Sequence, residues 1–556
     1  MSASRHQSSD EVKINHSLNK KEEEFISRRK NTVVQCLEKF NIRCSQDKVP
    51  NIALLGSGGG QRAMVGLLGS LFELYKAGLL DCILYLAGVS GSTWCMASLY
   101  QEPDWSTKLD IVKDKFVKRL SGPEISWTDA FAKLKKYYHG KDFFSLTDVW
   151  AAMFVTSYVK ELNEQALTNQ WNEDSKDPFP IYTVIDKHCK QREEGDPWVE
   201  ISPLEAGYSL TGAFVDVCNF GSQFHEGSKK NHQDEFDMLY LQAVCSSALA
   251  DGQEIWKFVK DLLPKLKTLK SAEGPPMLLS EQPLSEDPNS PPIDECYQLL
   301  TDLVDMNLAV LEGTDTFALD QSIQTTMADI TGKPPLLRGP NFNLAEKQNL
   351  TWYNMDVCSF FKDKIKLTKW PFGFLTDVCT CLTQWTWGRN YNFLHNMSDE
   401  VVPTALQQNK TRDYEDAGLL NNSPYFSVLR EKRGTDLIIS LDFSEGDPFM
   451  TVRETAEMCK KLNIPFPEVN IPSEDLEKPK DFYVFKGQNA PTVIHIPLFN
   501  VVNCGDKIDL WRKKHRTSNL PYSPEEVTEL IAVAGKNISN NVEKLLEQIR
   551  AVAEAK

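Results

Sequence analysis

The first stretch that could do chemistry is Gly88-Val89-Ser90-Gly91-Ser92. It stands between an apolar run, "CILYLAG" (82–88), and a helix-like pattern, "STWCMASLY" (92–100). A serine between a buried strand and a helix is lifted onto a sharp turn with the helix N-terminus behind it, where its hydroxyl can attack a carbonyl. Gly88 and Gly91 leave room where side chains would clash. The usual elbow is G-x-S-x-G, whereas here a serine fills the last position. Taken alone, the stretch fits a plain turn-and-cap role as well as a nucleophile. A second stretch, "LLGSGGGQRAMVG" (54–66), is another strand, glycine loop and helix. In one parallel βαβ unit the ends of successive strands lie side by side, so the Gly56–Gly60 loop is expected next to Ser90, with bare N–H groups able to face an oxyanion. A phosphate cradle fits less well: no Gly-Lys-Ser/Thr follows, and Gln61 stands where a dinucleotide fingerprint needs its third glycine. Arg62 opposes the helix dipole at a cost of ~0.3–1 kcal/mol, and it is placed to hold an anionic group.

A serine nucleophile needs a base. None of the nine histidines lies in an evident catalytic motif, and His495, inside an apolar run, reads as a packed core residue. Carboxylates are the other source. "RDYEDAGLLNNSPY" (412–425) sets Asp416 before Ala-Gly-Leu, at a turn suited to close backbone approach. Asp413 and Asp442, the latter following a strand, are rivals on local pattern.

The elements that must hold these residues read as α/β. "NIALL" (51–55) is a short buried strand. After it, Met64, Leu67, Leu68, Leu71, Phe72 and Tyr75 share one helical face, and Gly78 closes that helix. Strand–helix–strand–helix with short links implies a parallel sheet with a right-handed crossover. "DLIISLDF" (436–443) and "TVIHIPLF" (492–499) resume the strand pattern. An earlier helix is expected over Glu22–Phe40. A capping box, Ser523-Pro524-Glu525-Glu526, starts a last helix running towards Lys556. Residues 1–20 are polar and expected to be a disordered tail. The proline-rich acidic stretch 271–294 reads as a flexible linker or lid edge.

The chain has 556 residues, 41% hydrophobic and 25% charged, enough for a large core. Its net charge of −16, from 61 basic and 77 acidic residues, argues against nucleic acid as a partner. Thirteen cysteines without a CxxC pair, and no apolar leader, read as a reduced intracellular protein. No run of about 18 apolar residues is present to span a bilayer.

SGGGQRAMVG, GVSGSTW and DAGL, in that order, resemble the cytosolic phospholipase A2 family, with patatin as a more distant relative. Supporting stretches include "FSLTDVWAAMF" (144–154), "PWVEISPLEAGY" (197–208), "GAFVDVCNFGSQF" (212–224), "LDFSEGDPF" (441–449) and "PTVIHIPLFNVVNCGD" (491–506). The resemblance implies a three-layer patatin-like fold, with a central, mostly parallel sheet and a cap region, in one catalytic domain over 21–556. It implies a dyad of Ser90 as nucleophile and Asp416 as base, an oxyanion hole at the Gly59 and Gly60 amides, and Arg62 on the phospholipid phosphate. An acyl-serine intermediate, glycerophospholipid and lysophospholipid substrates, and no metal or cofactor are further implications. With the glycine loop starting at Gly56 there is no room for a calcium-binding C2 module, as in gamma-type members. Calcium independence is therefore expected. The ending Ala553-Glu554-Ala555-Lys556 lacks a prenylation box, and Ser2 excludes a myristoylation site. Two rival readings are a catalytically silent lipid-binding protein of this fold and an α/β-hydrolase esterase with a Ser90–Asp416–His495 triad.

The expected location is cytoplasmic with peripheral membrane association. Two segments mix lysines with aromatics in a way that suits a lipid interface. They are 255–270, with Trp256, and 360–375, with Trp370. Helices packed on a core with solvated lysines would read the same way.

Overall fold

The computed structural model describes residues 10–269, 293–332, 342–365, 371–519 and 521–556, in two compact units. The larger unit spans 1–143, 147–249 and 388–556, and the smaller spans 144–146 and 250–387.

The larger unit is built on a 12-stranded mixed sheet. In chain order the strands are β1 (Lys13–Ile14), β2 (Ile52–Gly56), β3 (Tyr85–Gly88), β4 (Phe179–Asp186), β5 (Trp198–Ile201), β6 (Glu205–Tyr208) and β7 (Ala213–Asp216). A separate hairpin, β8 (Gln223–His225) and β9 (Ser228–Asn231), is next. Then come β10 (Arg389–Tyr391), β11 (Thr411–Asp416), β12 (Leu437–Asp442), β13 (Tyr483–Phe485) and β14 (Thr492–Pro497). The sheet runs β1-β7-β6-β5-β4-β3-β2-β12-β14-β13, and its centre, β14-β12-β2-β3-β4, is parallel. Every residue of β2, β3 and β4 is buried, as expected of parallel strands covered on both faces. The mostly parallel core agrees with the expected fold class.

Two strands, β3 and β11, share one edge of β4. β3 pairs with its first half, from Tyr85↔Phe179 to Gly88↔Tyr182. β5 pairs with Tyr182–Ile185, and β11 with Val184–Asp186. Val184 and Ile185 face both β5 and β11. A strand has only two edges, so β11 continues the edge of β4 where β3 stops.

Helix α1 (Lys20–Lys39) precedes β2. It is tied down by a buried ion network in which Arg433 bonds Glu22 at 2.9 Å and Glu200 at 2.8 Å. Helix α2 (Gly60–Lys76) comes after β2, and α3 (Gly91–Leu99) after β3. The helix Pro524–Ser539 crosses α2 so closely that a Cβ on Gly69 would lie 2.5 Å from the Ile531 carbonyl oxygen. Its capping box forms as expected, with Ser523 Oγ accepting from Glu526 N at 3.2 Å and Glu526 Oε2 accepting from Ser523 N at 2.8 Å. The helix ends at Ser539, however, and a second one runs Val542–Ala555.

The polar N-terminal stretch is ordered sooner than expected. Residues 1–9 lie outside the described residues, but Lys13 and Ile14 pair with Phe214 and Ala213. Main-chain pairing at a sheet edge satisfies a backbone whatever its side chains are.

The smaller unit is helical: Gly252–Leu269, Ile293–Glu312, Phe317–Thr331, Lys347–Phe360 and Phe372–Gln384. Its packing corrects the reading of 255–270 as a docking surface. Ile255, Trp256, Val259, Leu262, Leu263 and Leu266 are buried, leaving Lys257, Lys260 and Lys265 exposed, as on an ordinary amphipathic helix. Phe360, Phe361, Phe372 and Phe374 are likewise buried. Trp370 and the stretch 271–292 of the expected linker lie outside the described residues. Among the described residues no helix is long and apolar enough to cross a membrane.

Candidate active site

β3 delivers Ser90 to a turn that ordinary residues avoid, with φ 51° and ψ −121°. The turn is held from several sides. Val89 N donates to Gly56 O at 3.0 Å, Ser92 Oγ donates to Ser57 O at 2.6 Å, and Thr93 Oγ1 donates to Ser90 O. A Cβ on Gly91 would lie 1.9 Å from Gly60 O and 2.8 Å from Gly60 N, so the two glycine turns touch backbone to backbone. The juxtaposition expected of the two loops is therefore present, and Gly91 is the residue that permits it.

The first loop turns into α2 through positive φ at Gly59 (148°) and Gly60 (59°). The first intrahelical bond runs from Ala63 N to Gly59 O at 3.4 Å, so the amides of Gly59, Gly60, Gln61 and Arg62 precede the ladder. The Gly58 amide is already used, donating to Asn422 O at 3.0 Å.

Asp416 ends β11. Its register partner is Val184, two residues beyond the Tyr182 that faces Gly88, so it arrives on the β4 edge where β3 has just given way to Ser90. Its Oδ1 accepts from Gly418 N at 2.8 Å, and its own amide donates to Ser247 Oγ at 2.9 Å. The side chain is fully buried. Burial pushes its pKa up to about 7, against the Gly418 amide, the Ser90 hydroxyl and the Ala248 backbone, which lower it. Ser90 is thus near enough to steady the carboxylate. Yet no hydrogen bond of ordinary geometry joins the two, and both Ser90 Oγ and Asp416 Oδ2 are buried without a partner. A buried polar atom left unpaired costs ~1–3 kcal/mol, and such cost is typical where groups are kept for reaction.

The rival carboxylates are occupied elsewhere. Asp413 is held in a bidentate pair by Arg389 at 2.7 and 2.8 Å, and against burial, which raises it, His188 and Arg389 lower its pKa to about 2. Asp442 accepts from Ser444 N at 2.8 Å and from Thr451 Oγ1. His495 does not join the group. It lies on β14, three strands removed from β3 in the sheet order, with Nε2 2.6 Å from Pro448 O, so the triad reading has no geometry behind it.

Arg62 is 2% exposed and spends most of its fork on the protein. Nε donates to Phe443 O at 2.7 Å, and Nη1 to His515 O at 2.8 Å and Thr517 Oγ1 at 3.1 Å, with Glu445 at 3.5 Å. Burial lowers its pKa. Nη2 points at Gly59, 2.8 Å from where a Cβ would stand. Sequence reasoning did not find Ser247 or Asn422. Neither carries a local motif, and each meets the site only through tertiary packing. Among the described residues no cluster of three or more His, Cys, Asp or Glu could hold a metal ion.

The geometry thus sets an elbow serine, a buried carboxylate and a glycine turn on the parallel part of an α/β sheet, an arrangement with the parts a serine esterase uses. The family model of the lysophospholipase catalytic domain matches residues 52–251. The chain is 33% identical to cytosolic phospholipase A2 gamma of Mus musculus over 568 residues, which cover 96% of this chain and 92% of that one. To cytosolic phospholipase A2 gamma of Homo sapiens it is 32% identical, over 98% and 97%. The solved structure of human GIVD cytosolic phospholipase A2 superposes with a TM-score of 0.63 at 22% identity, over 98% of this chain and 68% of that one. The same protein in complex with methyl gamma-linolenyl fluorophosphonate and terbium chloride gives 0.64 at 20%, over 99% and 67%. The chain belongs to the cytosolic phospholipase A2 family.

Proposed function

We propose that the protein is a calcium-independent phospholipase A2 and lysophospholipase that hydrolyses fatty-acyl esters of glycerophospholipids through a Ser90–Asp416 dyad. Family membership supports the phospholipase A2 class of enzyme. The observation that carries the dyad is the shared burial of two unpaired atoms, Ser90 Oγ and Asp416 Oδ2, with the carboxyl poised near pH 7.

In this reading Asp416 takes the Ser90 proton as Oγ attacks the ester carbonyl. A carboxylate with a pKa near the working pH is a far better base than one in water, at about 3.9. Charge developing on the carbonyl oxygen is met by the Gly59 and Gly60 amides at the positive end of α2. The protonated Asp416 then gives its proton to the departing glycerol oxygen, leaving an acyl-Ser90 ester. Water activated by the same carboxylate releases the fatty acid. Arg62 offers Nη2 to the substrate phosphate, while its other nitrogens anchor it. Every charge that develops has a protein partner, so the chemistry calls for no calcium. The protein works in the cytosol and meets its substrate at a lipid surface.

The test is a phosphatidylcholine with different labelled acyl chains at its two positions, assayed with and without a calcium chelator, beside labelling by a fluorophosphonate ester. Hydrolysis that survives chelation and label on Ser90 alone are expected. Label on another serine would overturn the nucleophile, and activity lost with chelator would overturn calcium independence.

A further inference from the structure

Asn422 stands six residues after Asp416 and reaches the other loop. Its backbone oxygen accepts from Gly58 N at 3.0 Å, and its side-chain Nδ2 donates to Gly58 O at 3.1 Å. One residue thus grips both ends of a single glycine. The same Nδ2 donates to Ser444 Oγ at 2.9 Å, which fixes the amide plane from the far side. The fit is close: a Cβ on Gly58 would lie 2.2 Å from Asn422 Oδ1 and 2.9 Å from Ser90 Cβ. Gly58 is therefore sandwiched between Asn422 and the nucleophile. A Cβ on Gly418, whose amide caps Asp416, would in turn lie 2.8 Å from Asn422 Oδ1 and 3.1 Å from Asp416 Oδ1. The neighbouring Asn421 pins the turn, donating from Nδ2 to Thr451 O at 3.1 Å and Thr455 Oγ1 at 3.0 Å.

We infer that Asn422 is a positioning residue. It couples the turn bearing Asp416 to the glycine loop, and so sets the Gly59–Gly60 amides against Ser90. The inference rests on the dyad reading above. Gly58 has no side chain to lock it, and a loop of consecutive glycines loses more freedom on ordering than any other sequence. Some outside group must hold the amides still, because preorganised donors act only where they already point at the developing charge. The helix behind them reaches back only to Gly59 O, through Ala63 N, and Ser92, Leu441 and Phe443 hold Ser57, so the glycine between, Gly58, is left to Asn422. It touches no atom that reacts, so its loss should slow the bond-making step without changing what binds.

The experiment compares wild type, Asn422→Ala and Asn422→Asp. The aspartate keeps the shape and the backbone bond but replaces the donor with a charge facing Gly58 O. Three quantities are read: kcat and KM on a water-soluble acyl ester, the second-order rate constant for labelling by a fluorophosphonate ester, and the melting temperature. Both variants are expected to lose 10- to 100-fold in kcat and in labelling rate together, with KM within about threefold. The pH midpoint of the Asn422→Ala labelling rate should remain that of wild type, because Asp416 keeps its own surroundings. Labelling of Asn422→Asp within twofold of wild type would overturn the inference. So would a parallel rise in KM, or a loss of labelling that tracks unfolded protein. Should wild type take label on a serine other than Ser90, the dyad falls and this inference with it. Label on Ser90 at a rate indifferent to both substitutions sinks the inference alone.

Discussion

Two turns of the larger unit leave neighbouring parallel strands at residues in register, Gly56 and Gly88, and both run into helices, yet they are made differently. The turn from β2 takes Ser57, Gly58 and Gly59 to reach its helix and gives its positive φ values to glycines. The turn from β3 takes only Val89 and Ser90 and gives its positive φ to a serine. A non-glycine residue in such a conformation costs ~1–3 kcal/mol and persists only where its surroundings over-determine it. Here they do: all nine residues of α3 are buried, and hydrogen bonds cross from Val89 and Ser92 to the first turn. In the proposed mechanism the amide donors are thus supplied by residues that reach the conformation freely, and strain is concentrated on the one residue that would project a hydroxyl. Flexibility in the first turn has to be removed from outside, whereas the second is locked by its own packing.

The sharpest way to break this comparison is at Ser90. Ser90→Ala is expected to lower ester hydrolysis by at least ~10⁴-fold and to abolish fluorophosphonate labelling, while melting no lower than wild type, since it deletes a buried unpaired hydroxyl. Ser90→Gly should be equally inactive and melt above Ser90→Ala, because only glycine relieves the φ strain. The glycine variant melting clearly below the alanine one would mean that the turn carries no strain.

Asp416→Asn comes next, with a loss of ~10²–10⁴-fold. For wild type, kcat/KM should rise with pH through about 7 and level off as the carboxylate forms. The stability effect has the opposite sign. A folded pKa near 7 lies above the unfolded value of about 3.9, so burying the acid costs little below pH 4, and stability is lost progressively from there until the group has ionised through 7. Asparagine cannot ionise. Asp416→Asn should therefore melt within a few degrees of wild type at pH 4 and further above it at pH 8. A melting difference that does not change with pH would show that Asp416 is not held at a raised pKa.

Much of this site is legible in the chain. Short apolar runs ending in glycines announce β2 and β3, and the capping box at Ser523 announces its helix, because each signal lies within a few residues. The approach of Asp416 to Ser90 is not announced. It depends on β11 taking over the edge of β4 from β3, an antiparallel pairing of residues more than 200 positions apart, which no local pattern encodes. Trp256 and its lysines show the converse. The local pattern there fits two structures equally, and only the burial of its apolar face decides between them. Asn422 carries no signal because its function lies in two hydrogen bonds to a glycine 364 positions away.

The smallest effect tests the first turn from within. Arg62 sits three residues after Gly59, and its anchoring bonds to Phe443 O and His515 O tie the start of α2 to two distant segments. Its pairing with Glu445 contributes little, since that carboxylate is 40% exposed and 3.5 Å away. Arg62→Lys keeps a charge but loses the planar fork, so it cannot serve Phe443, His515 and a third acceptor together. If Nη2 meets the substrate phosphate, the variant should lose ~10-fold more on a phospholipid than on a neutral monoester, a difference of about 1.4 kcal/mol. If Arg62 only anchors the helix, both substrates should suffer alike and the melting temperature should fall with them. We expect the unequal loss, read as the ratio of kcat/KM on the two substrates, with fluorophosphonate labelling of Ser90 retained. Equal losses would move Arg62 from the substrate to the scaffold and leave the glycine turn as the sole feature of this loop acting on the ester.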